Sequence, residues 1–196
     1  MKKIILITGG QRSGKSSYAE QLALSLADNP IYIATAHIWD DEFKERVRIH
    51  QERRGAQWTN IEEERELSRH HVANRVVLID CCTLWATNFF YQQTSENADD
   101  ALPNVTAILD EMKTEFERFT SQDATFIFVT NEIGLGGTST NPVQRRFTDL
   151  LGWFNQYVAS KADEVILMVA GIKVEIKSSD KMEKSQNYQQ TDNVSN

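Results

Sequence analysis

The sequence predicts an α/β fold in which a mainly parallel sheet is flanked by helices on both faces. Short apolar runs alternate with longer segments of helical periodicity along most of the chain. The first apolar run leads directly into a glycine-rich loop, and polar residues end several of the later runs. Because ligands of such sheets bind at the carboxyl ends of the strands, we expect the loop and these polar residues to share one site.

The glycine-rich loop fits the pattern G-x-x-x-x-G-K-[ST] in full, between a strand over 4–8 and a helix expected over 17–27. Its glycines allow successive N–H groups to form a cup for an anion, and the positive end of the helix adds to the attraction. Lys15 is expected to reach the β- and γ-phosphates, and the Ser16 hydroxyl to ligate Mg²⁺. The pattern thus predicts nucleoside triphosphate binding by Gly9, Gly10, Gln11, Arg12, Ser13, Gly14, Lys15 and Ser16.

The chain then continues with a second buried strand over 31–35. A heavily charged helix is predicted over 40–54, where Gly55 closes it, and a second polar helical piece over 62–71. The third strand covers 75–80 and a buried helix follows over 83–93. This order continues the alternation of strand and helix that a parallel sheet requires.

The second half of the chain repeats the alternation as far as residue 177, after which its composition changes. Residues 178–196 are dominated by polar side chains that cannot bury enough surface to offset their ordering entropy. We therefore expect one domain over 1–177 and a disordered tail. The predicted helices cover 105–119 and 143–161, the strands 124–130, 164–169 and 173–176, and a flexible glycine-rich loop 134–142.

Bulk properties narrow the class of protein further. A formal net charge of -7 argues against a nucleic-acid surface, which normally carries a basic excess. No apolar stretch approaches transmembrane length, so no integral membrane segment is expected. The two cysteines, Cys81 and Cys82, are adjacent, where disulfide geometry is rare, so a reduced cytoplasmic location is the default.

Asp80 and His50 are the strongest catalytic candidates outside the loop. Asp80 ends an apolar strand, where a carboxylate would hold Mg²⁺, although it could instead cap the next helix. On the predicted helix His50 lies near Arg46, Arg53 and Arg54, and cations favour the neutral, nucleophilic imidazole. The same arginines could hold a polyphosphate. From spacing alone, a solvated histidine is the alternative.

Other polar residues leave their roles open. His37 could line the site beyond the second strand, whereas His70 and His71 fit a surface helix end. Glu132 follows a strand and either faces substrate or stabilises a turn. The group of Arg145, Arg146 and Asp149 could form surface ion pairs or face a phosphate.

Taken in order, these motifs resemble the bifunctional adenosylcobinamide kinase/adenosylcobinamide-phosphate guanylyltransferases of cobalamin biosynthesis. The resemblance covers about residue 3 to residue 177, and the ending 170–177 is its most specific part. The matching motifs are 8–16, 32–36, 40–42 with Arg46 and His50, Trp58, Asp80 with Thr83 and Asn88, 129–134, and Asn155 with 162–165.

The resemblance implies a RecA-like P-loop NTPase fold with a C-terminal strand pair, usually assembled as a homotrimer. It also implies two reactions. The first phosphorylates the aminopropanol hydroxyl of adenosylcobinamide with ATP or GTP. The second transfers GMP from GTP to that phosphate, which releases pyrophosphate and gives adenosylcobinamide-GDP.

The family's functional positions carry over to named residues here. His50 matches the histidine that carries GMP covalently, and a phosphoramidate of this kind splits one hard transfer into two easier ones. Ile49 precedes it where some members have a second histidine, and residues 138–141 also depart from the usual family sequence. Besides the loop, the implied nucleotide contacts are Ala34, Thr35, Ala36, Gln51, Glu52, Arg53, Arg54, Glu62 and Asp80.

Two rival functions remain open at the level of sequence. A small-molecule kinase with a single activity would form no covalent GMP adduct. A nucleotide switch without catalytic turnover would use the loop over 134–141 as a partner surface. Labelling with GTP and turnover with cobinamide separate the three possibilities.

Overall fold

The computed structural model describes residues 1–37, 55–96 and 102–178. The predicted helix over 40–54 and the tail beyond residue 178 lie outside these ranges. The strands are β1 (Lys3–Gly9), β2 (Ile31–Ala34), β3 (Thr59–Glu62), β4 (Val76–Asp80), β5 (Thr125–Val129), β6 (Glu164–Val169) and β7 (Ile172–Lys177). The helices are α1 (Lys15–Leu26), α2 (Cys82–Glu96), α3 (Val105–Phe119) and α4 (Pro142–Lys161), with short 3₁₀ turns at Leu67–Arg69 and Gly134–Gly136.

The seven strands form one sheet in the order β3-β2-β4-β5-β1-β6-β7. Every pairing is parallel except that of β6 with β7, which is antiparallel. The strand β5 lies between β1 and β4. The strand β1, which leads into the loop over 9–16 (the phosphate loop), is therefore two strand spacings from β4, which ends in Asp80. At about 4.8 Å per spacing, the two strands are separated by about 10 Å.

Alternate residues of β1 supply the two sides of the core. Ile4 and Leu6 pack into the cluster that α2, α3 and α4 cover, whereas Ile5 and Ile7 pack into the cluster covered by α1. All four side chains are buried. A strand buried on both faces reads as a continuous apolar run, which is why β1 was readable from the sequence.

Side-chain caps fix where α3 and α4 begin. Asn104 accepts a hydrogen bond from the Ala107 N–H at the start of α3. Asn141 accepts from the N–H groups of Val143 and Gln144, with Pro142 in the first turn of α4. Asparagine caps and an initial proline both favour a helix start, so α3 begins at the predicted residue and α4 one residue earlier.

The predicted helix over 62–71 is wrong. Residues 59–62 instead form the edge strand β3, which pairs in parallel with β2, and only one 3₁₀ turn follows. The Glu63 carboxylate accepts the N–H groups of Arg65 and Glu66, which favours a turn over a helix. Pairing with β2 removes Glu62 from a helix, and the turn at Glu63 breaks the segment that follows, because helix propensity is weaker than such contacts.

The remaining elements follow the prediction closely. The helix over 105–119 and the strand over 164–169 have the predicted bounds, and the other matching elements differ at their ends by only a few residues. None of the helices in the described ranges is long and apolar enough to cross a membrane. The sheet therefore places the loop after β1, Asp80 and the segment after β5 at one edge.

Candidate functional site

The loop between β1 and α1 has the backbone conformation that its glycines permit. Gly9 and Gly14 have φ angles of 149° and 94°. A Cβ atom at Gly9 would lie 2.4 Å from the Met168 carbonyl oxygen of β6, so the neighbouring strand leaves no room for a side chain. The sequence pattern therefore reflects a close backbone approach, as well as the positive φ angles.

Lys15 lies inside the loop rather than in solvent. Its Nζ donates to the Gly10 carbonyl oxygen at 2.6 Å and approaches Ser13 Oγ at 3.5 Å. Burial lowers the pKa of Lys15, and the electrostatic contributions of Cys81 and Asp80 oppose this shift only in part. A buried cation with so little compensation favours an anionic ligand, because a phosphate would supply the missing negative charge.

Asp80 is held at the carboxyl end of β4 by contacts from β2. The Tyr32 hydroxyl donates to Asp80 Oδ2 at 2.9 Å. The Thr35 hydroxyl donates to the Cys81 carbonyl oxygen at 2.8 Å and accepts the Cys81 N–H at 3.0 Å. Burial, with a contribution from Asp80, raises the pKa of the Cys81 thiol to about 12, so this cysteine is not a nucleophile near neutral pH.

The residues present fit a magnesium ion bound together with a nucleotide. The Tyr32 hydroxyl donates to one oxygen of Asp80, and the half-buried Ser16 is the second residue of α1, next to Lys15. Mg²⁺ prefers oxygen ligands and is usually held by one or two carboxylates together with substrate phosphates and water. Within the described residues no group of three or more His, Cys, Asp or Glu could hold a metal, so a protein-only cage is absent from that part of the chain.

A buried polar network fixes the segment after β5. The Thr130 hydroxyl donates to Asn155 Oδ1 at 2.7 Å, and the Asn155 amide donates to the Asn131 carbonyl oxygen at 3.1 Å. The N–H and side-chain amide of Asn131 both donate to the Thr83 hydroxyl at 3.0 Å. Segments from β5, α2 and α4 therefore meet at this edge of the sheet.

Glu132 follows this network and lies next to the phosphate loop. Its N–H donates to the Gly9 carbonyl oxygen at 3.0 Å. Its side chain is half-buried, with Oε1 over the Gly134 backbone. The position of Glu132 at the edge of the sheet agrees with the sequence prediction, which left its role open.

A second set of polar contacts supports the edge beyond β4. The Asn88 amide donates to the carbonyl oxygens of Thr35 and Glu64, at 2.7 and 2.9 Å. Burial raises the pKa of Glu63, but hydrogen bonds from the backbone of Arg65 and Glu66 outweigh it and hold that pKa below its ordinary value. These contacts order the chain that follows β3.

The histidines near this edge pair with glutamates. His37 Nδ1 lies 2.8 Å from Glu64 Oε1, and His70 Nε2 lies 3.3 Å from Glu63 Oε2. The expected helix end at His70 is absent, because that residue follows the 3₁₀ turn.

The predicted nucleotide contacts divide into two groups along the edge. Ala34 is the register partner of both Glu62 and Asp80, so these three residues form a row across β3, β2 and β4. The phosphate loop lies beyond β5, about 10 Å from β4 and about 19 Å from β3 by strand spacing. His50 and Gln51, Glu52, Arg53 and Arg54 lie outside the described residues.

The structure assigns contacts that sequence reasoning missed. Tyr32 orients Asp80, and the Thr35 side chain, expected near nucleotide, is buried against Cys81. Asn155 was recognised only as part of a resemblance, without a role. The signal for a role of Asn155 was its position as a polar residue among buried apolar ones. Its partner, Thr130, is distant in sequence and could not be identified from the sequence.

Comparison with known proteins identifies relatives over almost the whole domain. Residues 5–176 match the family described as cobinamide kinase / cobinamide phosphate guanyltransferase. The bifunctional adenosylcobalamin biosynthesis protein CobU of Salmonella typhimurium is 38% identical over 181 residues, covering 89% of this chain and 99% of the relative. The bifunctional adenosylcobalamin biosynthesis protein CobP of Pseudomonas aeruginosa is 35% identical over 176 residues, covering 88% and 96%.

Solved structures share the fold at low sequence identity. The assembled ATPase EscN from the type III secretion system of enteropathogenic E. coli has a TM-score of 0.52 and 14% identity. The match covers 86% of this chain and 43% of EscN, so the chain spans less than half the length of that ATPase. With the parallel sheet and the loop after β1, this likeness confirms the expected P-loop NTPase fold.

Proposed function

Because the chain belongs to the cobinamide kinase / cobinamide phosphate guanyltransferase family, we propose that it catalyses both reactions on adenosylcobinamide. It phosphorylates the substrate hydroxyl with ATP or GTP, and then transfers GMP from GTP to the new phosphate. The observation that carries the proposal is the buried Lys15 inside the loop after β1, with Asp80 on the same edge. A site built on these residues binds a triphosphate by its phosphates.

In the kinase step, Lys15 and the N–H groups of the loop hold the β- and γ-phosphates. Charge spreads over the transferred phosphoryl oxygens in the transition state, and fixed donors there lower its free energy. Ser16 and Asp80 are the residues that would hold Mg²⁺, which neutralises phosphate charge when it is bound. Tyr32 keeps the Asp80 carboxylate oriented through its hydrogen bond.

In the transfer step, His50 is proposed to attack the α-phosphate of GTP and carry GMP to the substrate phosphate. The phosphorus–nitrogen bond forms as pyrophosphate leaves, and the substrate phosphate then displaces the histidine. The family resemblance supports this role, and the neighbouring Arg53 and Arg54 would stabilise the developing charge. The other proposed nucleotide contacts are Ala34, Thr35, Ala36, Gln51, Glu52 and Glu62.

We also propose a homotrimer in the cytoplasm. The edge strand β7 exposes Ile172, Val174 and Ile176, which alternate along one face, and exposed apolar edges of this kind favour association. The thiols of Cys81 and Cys82 are both free, which supports a reducing compartment.

Labelling with GTP tests the two-reaction proposal. Wild-type protein incubated with GTP labelled at the α-phosphate should retain a protein-bound label that acid releases, because phosphoramidates hydrolyse in acid. His50→Ala should lose the label while phosphorylation of adenosylcobinamide continues, since that step does not use the histidine. His71→Ala is the matched control and should label like the wild type.

The outcomes separate the proposal from its rivals. A wild-type protein that phosphorylates adenosylcobinamide but takes up no label would be a kinase with a single activity. A protein that binds GTP without turnover in either reaction would be a switch. Label that persists in His50→Ala would move the covalent step to another residue.

A further inference from the structure

Among the described residues at this edge of the sheet, Glu132 differs from the carboxylates of Asp80, Glu63 and Glu64 in having no partner. Asp80 accepts the Tyr32 hydroxyl, and Glu63 and Glu64 pair with His70 and His37. Within the described residues, the Glu132 carboxylate has neither a hydrogen bond nor an ion pair, although its side chain is only partly exposed. A half-buried carboxylate without a partner is free to accept a proton from a ligand.

The backbone of Glu132 is nevertheless held firmly. Its N–H donates to Gly9, the first residue of the phosphate loop, at 3.0 Å. The preceding Asn131 is fixed by two hydrogen bonds to Thr83 and one from Asn155. The backbone of Glu132 is therefore fixed at the first residue of the phosphate loop, while its carboxylate stays available to a ligand.

The topology places this carboxylate between the two halves of the phosphate site. Glu132 follows β5, which pairs with β1 on one side and with β4 on the other. Each neighbouring strand is about 4.8 Å away. A γ-phosphate held by Lys15 at the end of β1 would therefore lie within reach of the Glu132 side chain.

We infer that Glu132 is the general base of the kinase step, an assignment that rests on the proposed function. Its carboxylate removes the proton from the aminopropanol hydroxyl of the substrate as the hydroxyl oxygen attacks the γ-phosphorus. The oxygen–phosphorus bond forms, the bond between the γ-phosphorus and the β,γ-bridging oxygen breaks, and the nucleoside diphosphate leaves. The proton remains on Glu132 until solvent removes it.

The two reactions differ in their need for this base. In the kinase step the nucleophile is an alcohol, which must lose a proton. In the transfer step the nucleophiles are the neutral imidazole of His50 and then the substrate phosphate, which is already an anion near neutral pH, so neither needs a base. Loss of the Glu132 carboxylate should therefore impair the first reaction and spare the second, whereas loss of a general structural contact would impair both.

The test compares Glu132→Gln with the wild type in two separate assays. Kinase turnover with adenosylcobinamide should fall about 100-fold or more, which is the usual contribution of a general base. GMP transfer to supplied adenosylcobinamide phosphate should remain near the wild-type rate. Glu132→Asp, which keeps the carboxylate one methylene further back, should give an intermediate kinase rate.

Asp28→Asn is the matched control, because this exposed carboxylate lies at the opposite edge of the sheet, after α1. It should leave both activities unchanged. Unchanged kinase turnover in Glu132→Gln, or an equal loss of both activities with weaker nucleotide binding, would overturn the assignment. A wild-type protein without kinase activity would instead overturn the proposed function. If Glu132→Gln fails to fold, a selective kinase loss in a folded Glu132→Asp decides in favour of the base.

Discussion

Gly9 and Lys15 illustrate how far single residues determine the phosphate loop. The Met168 carbonyl oxygen leaves no room for a side chain at Gly9, and Lys15 is buried against the Gly10 carbonyl oxygen. Both residues belong to a local motif, which is why the sequence predicted a loop between a strand and a helix here, whereas their contacts with nucleotide stay a prediction. The role of Tyr32 could not be predicted, because its contact with Asp80 depends on β2 and β4 being neighbours in the sheet.

Replacement of Lys15 by alanine should remove most of the kinase activity. The buried cation would be lost from the β- and γ-phosphates, and removal of one fixed donor to the transition state typically lowers kcat by about 10² to 10³. Steady-state kinase assays measure the effect, with circular dichroism as the check of folding. Kinase turnover at the wild-type rate in Lys15→Ala would contradict the role of the loop.

At the scale of elements, the sheet and its helices were largely predictable because buried parallel strands and amphipathic helices have clear periodicities. β3 was not predictable, since an edge strand with one apolar side chain, Ile61, carries little signal. The polar network that joins β5, α2 and α4 was equally hidden. Its hydrogen bonds connect residues that come together only when the helices pack on the sheet.

Asn155→Ala tests how much this network stabilises the fold. The change leaves the buried Thr130 hydroxyl without its acceptor, and an unsatisfied buried polar group costs about 1–3 kcal/mol. Urea unfolding measures the loss in the free energy of unfolding. Gln156→Ala, an exposed position on the same helix, should change it by less than about 0.5 kcal/mol, and equal losses in both variants would count against the network.

The contact between α3 and α4 should make stability depend on pH. The Tyr157 hydroxyl donates a hydrogen bond to the Glu117 carboxylate. This bond and the nearby Lys161 lower the pKa of Glu117. A lowered folded-state pKa gives stability that is present above the unfolded value, 4.5, and is lost as the pH falls through the folded value. Tyr157→Phe should thus be less stable than the wild type at pH 7 but not in strong acid.

The same contact also makes stability depend on pH in the alkaline range, through ionisation of the Tyr157 phenol. Burial and the Glu117 carboxylate raise the pKa of Tyr157 to about 12, so this part of the stability is lost as the pH rises from 10 toward that value. Thermal unfolding across the pH range measures the loss of stability in acid and the loss in alkali. A double-mutant cycle of Tyr157→Phe, Glu117→Gln and the double variant isolates the interaction free energy of the pair. Additive losses of stability would show that the two side chains do not stabilise the fold through their contact.

At the scale of the whole molecule, the sheet ends in a strand that the described residues leave uncovered. The side chains of Ile172, Val174 and Ile176 are 68%, 47% and 57% exposed, and β7 has a partner strand only on the β6 side. The sequence predicted this strand but not its exposure. Local periodicity does not encode the assembly state, so the proposed trimer depends on the family resemblance.

If β7 forms the interface of the proposed trimer, Val174→Lys should shift the protein to a monomer, because a charge on the apolar face of β7 would then be buried without a partner. Light scattering after size-exclusion chromatography gives the mass. Leu26→Lys, at an exposed apolar position at the end of α1, should leave the mass unchanged. A trimeric Val174→Lys would place the interface elsewhere.

The turn between β6 and β7 also touches the phosphate loop. The Gly171 N–H donates to the Ser13 carbonyl oxygen at 2.9 Å, and a Cβ at Gly14 would lie 3.3 Å from Gly171 Cα. A ligand that shifts the loop and a neighbouring subunit that covers β7 would act on the same few backbone atoms. In the proposed trimer, occupancy of one site would then change the affinity of the others, because linkage is reciprocal, and this hairpin is where the sites would be coupled.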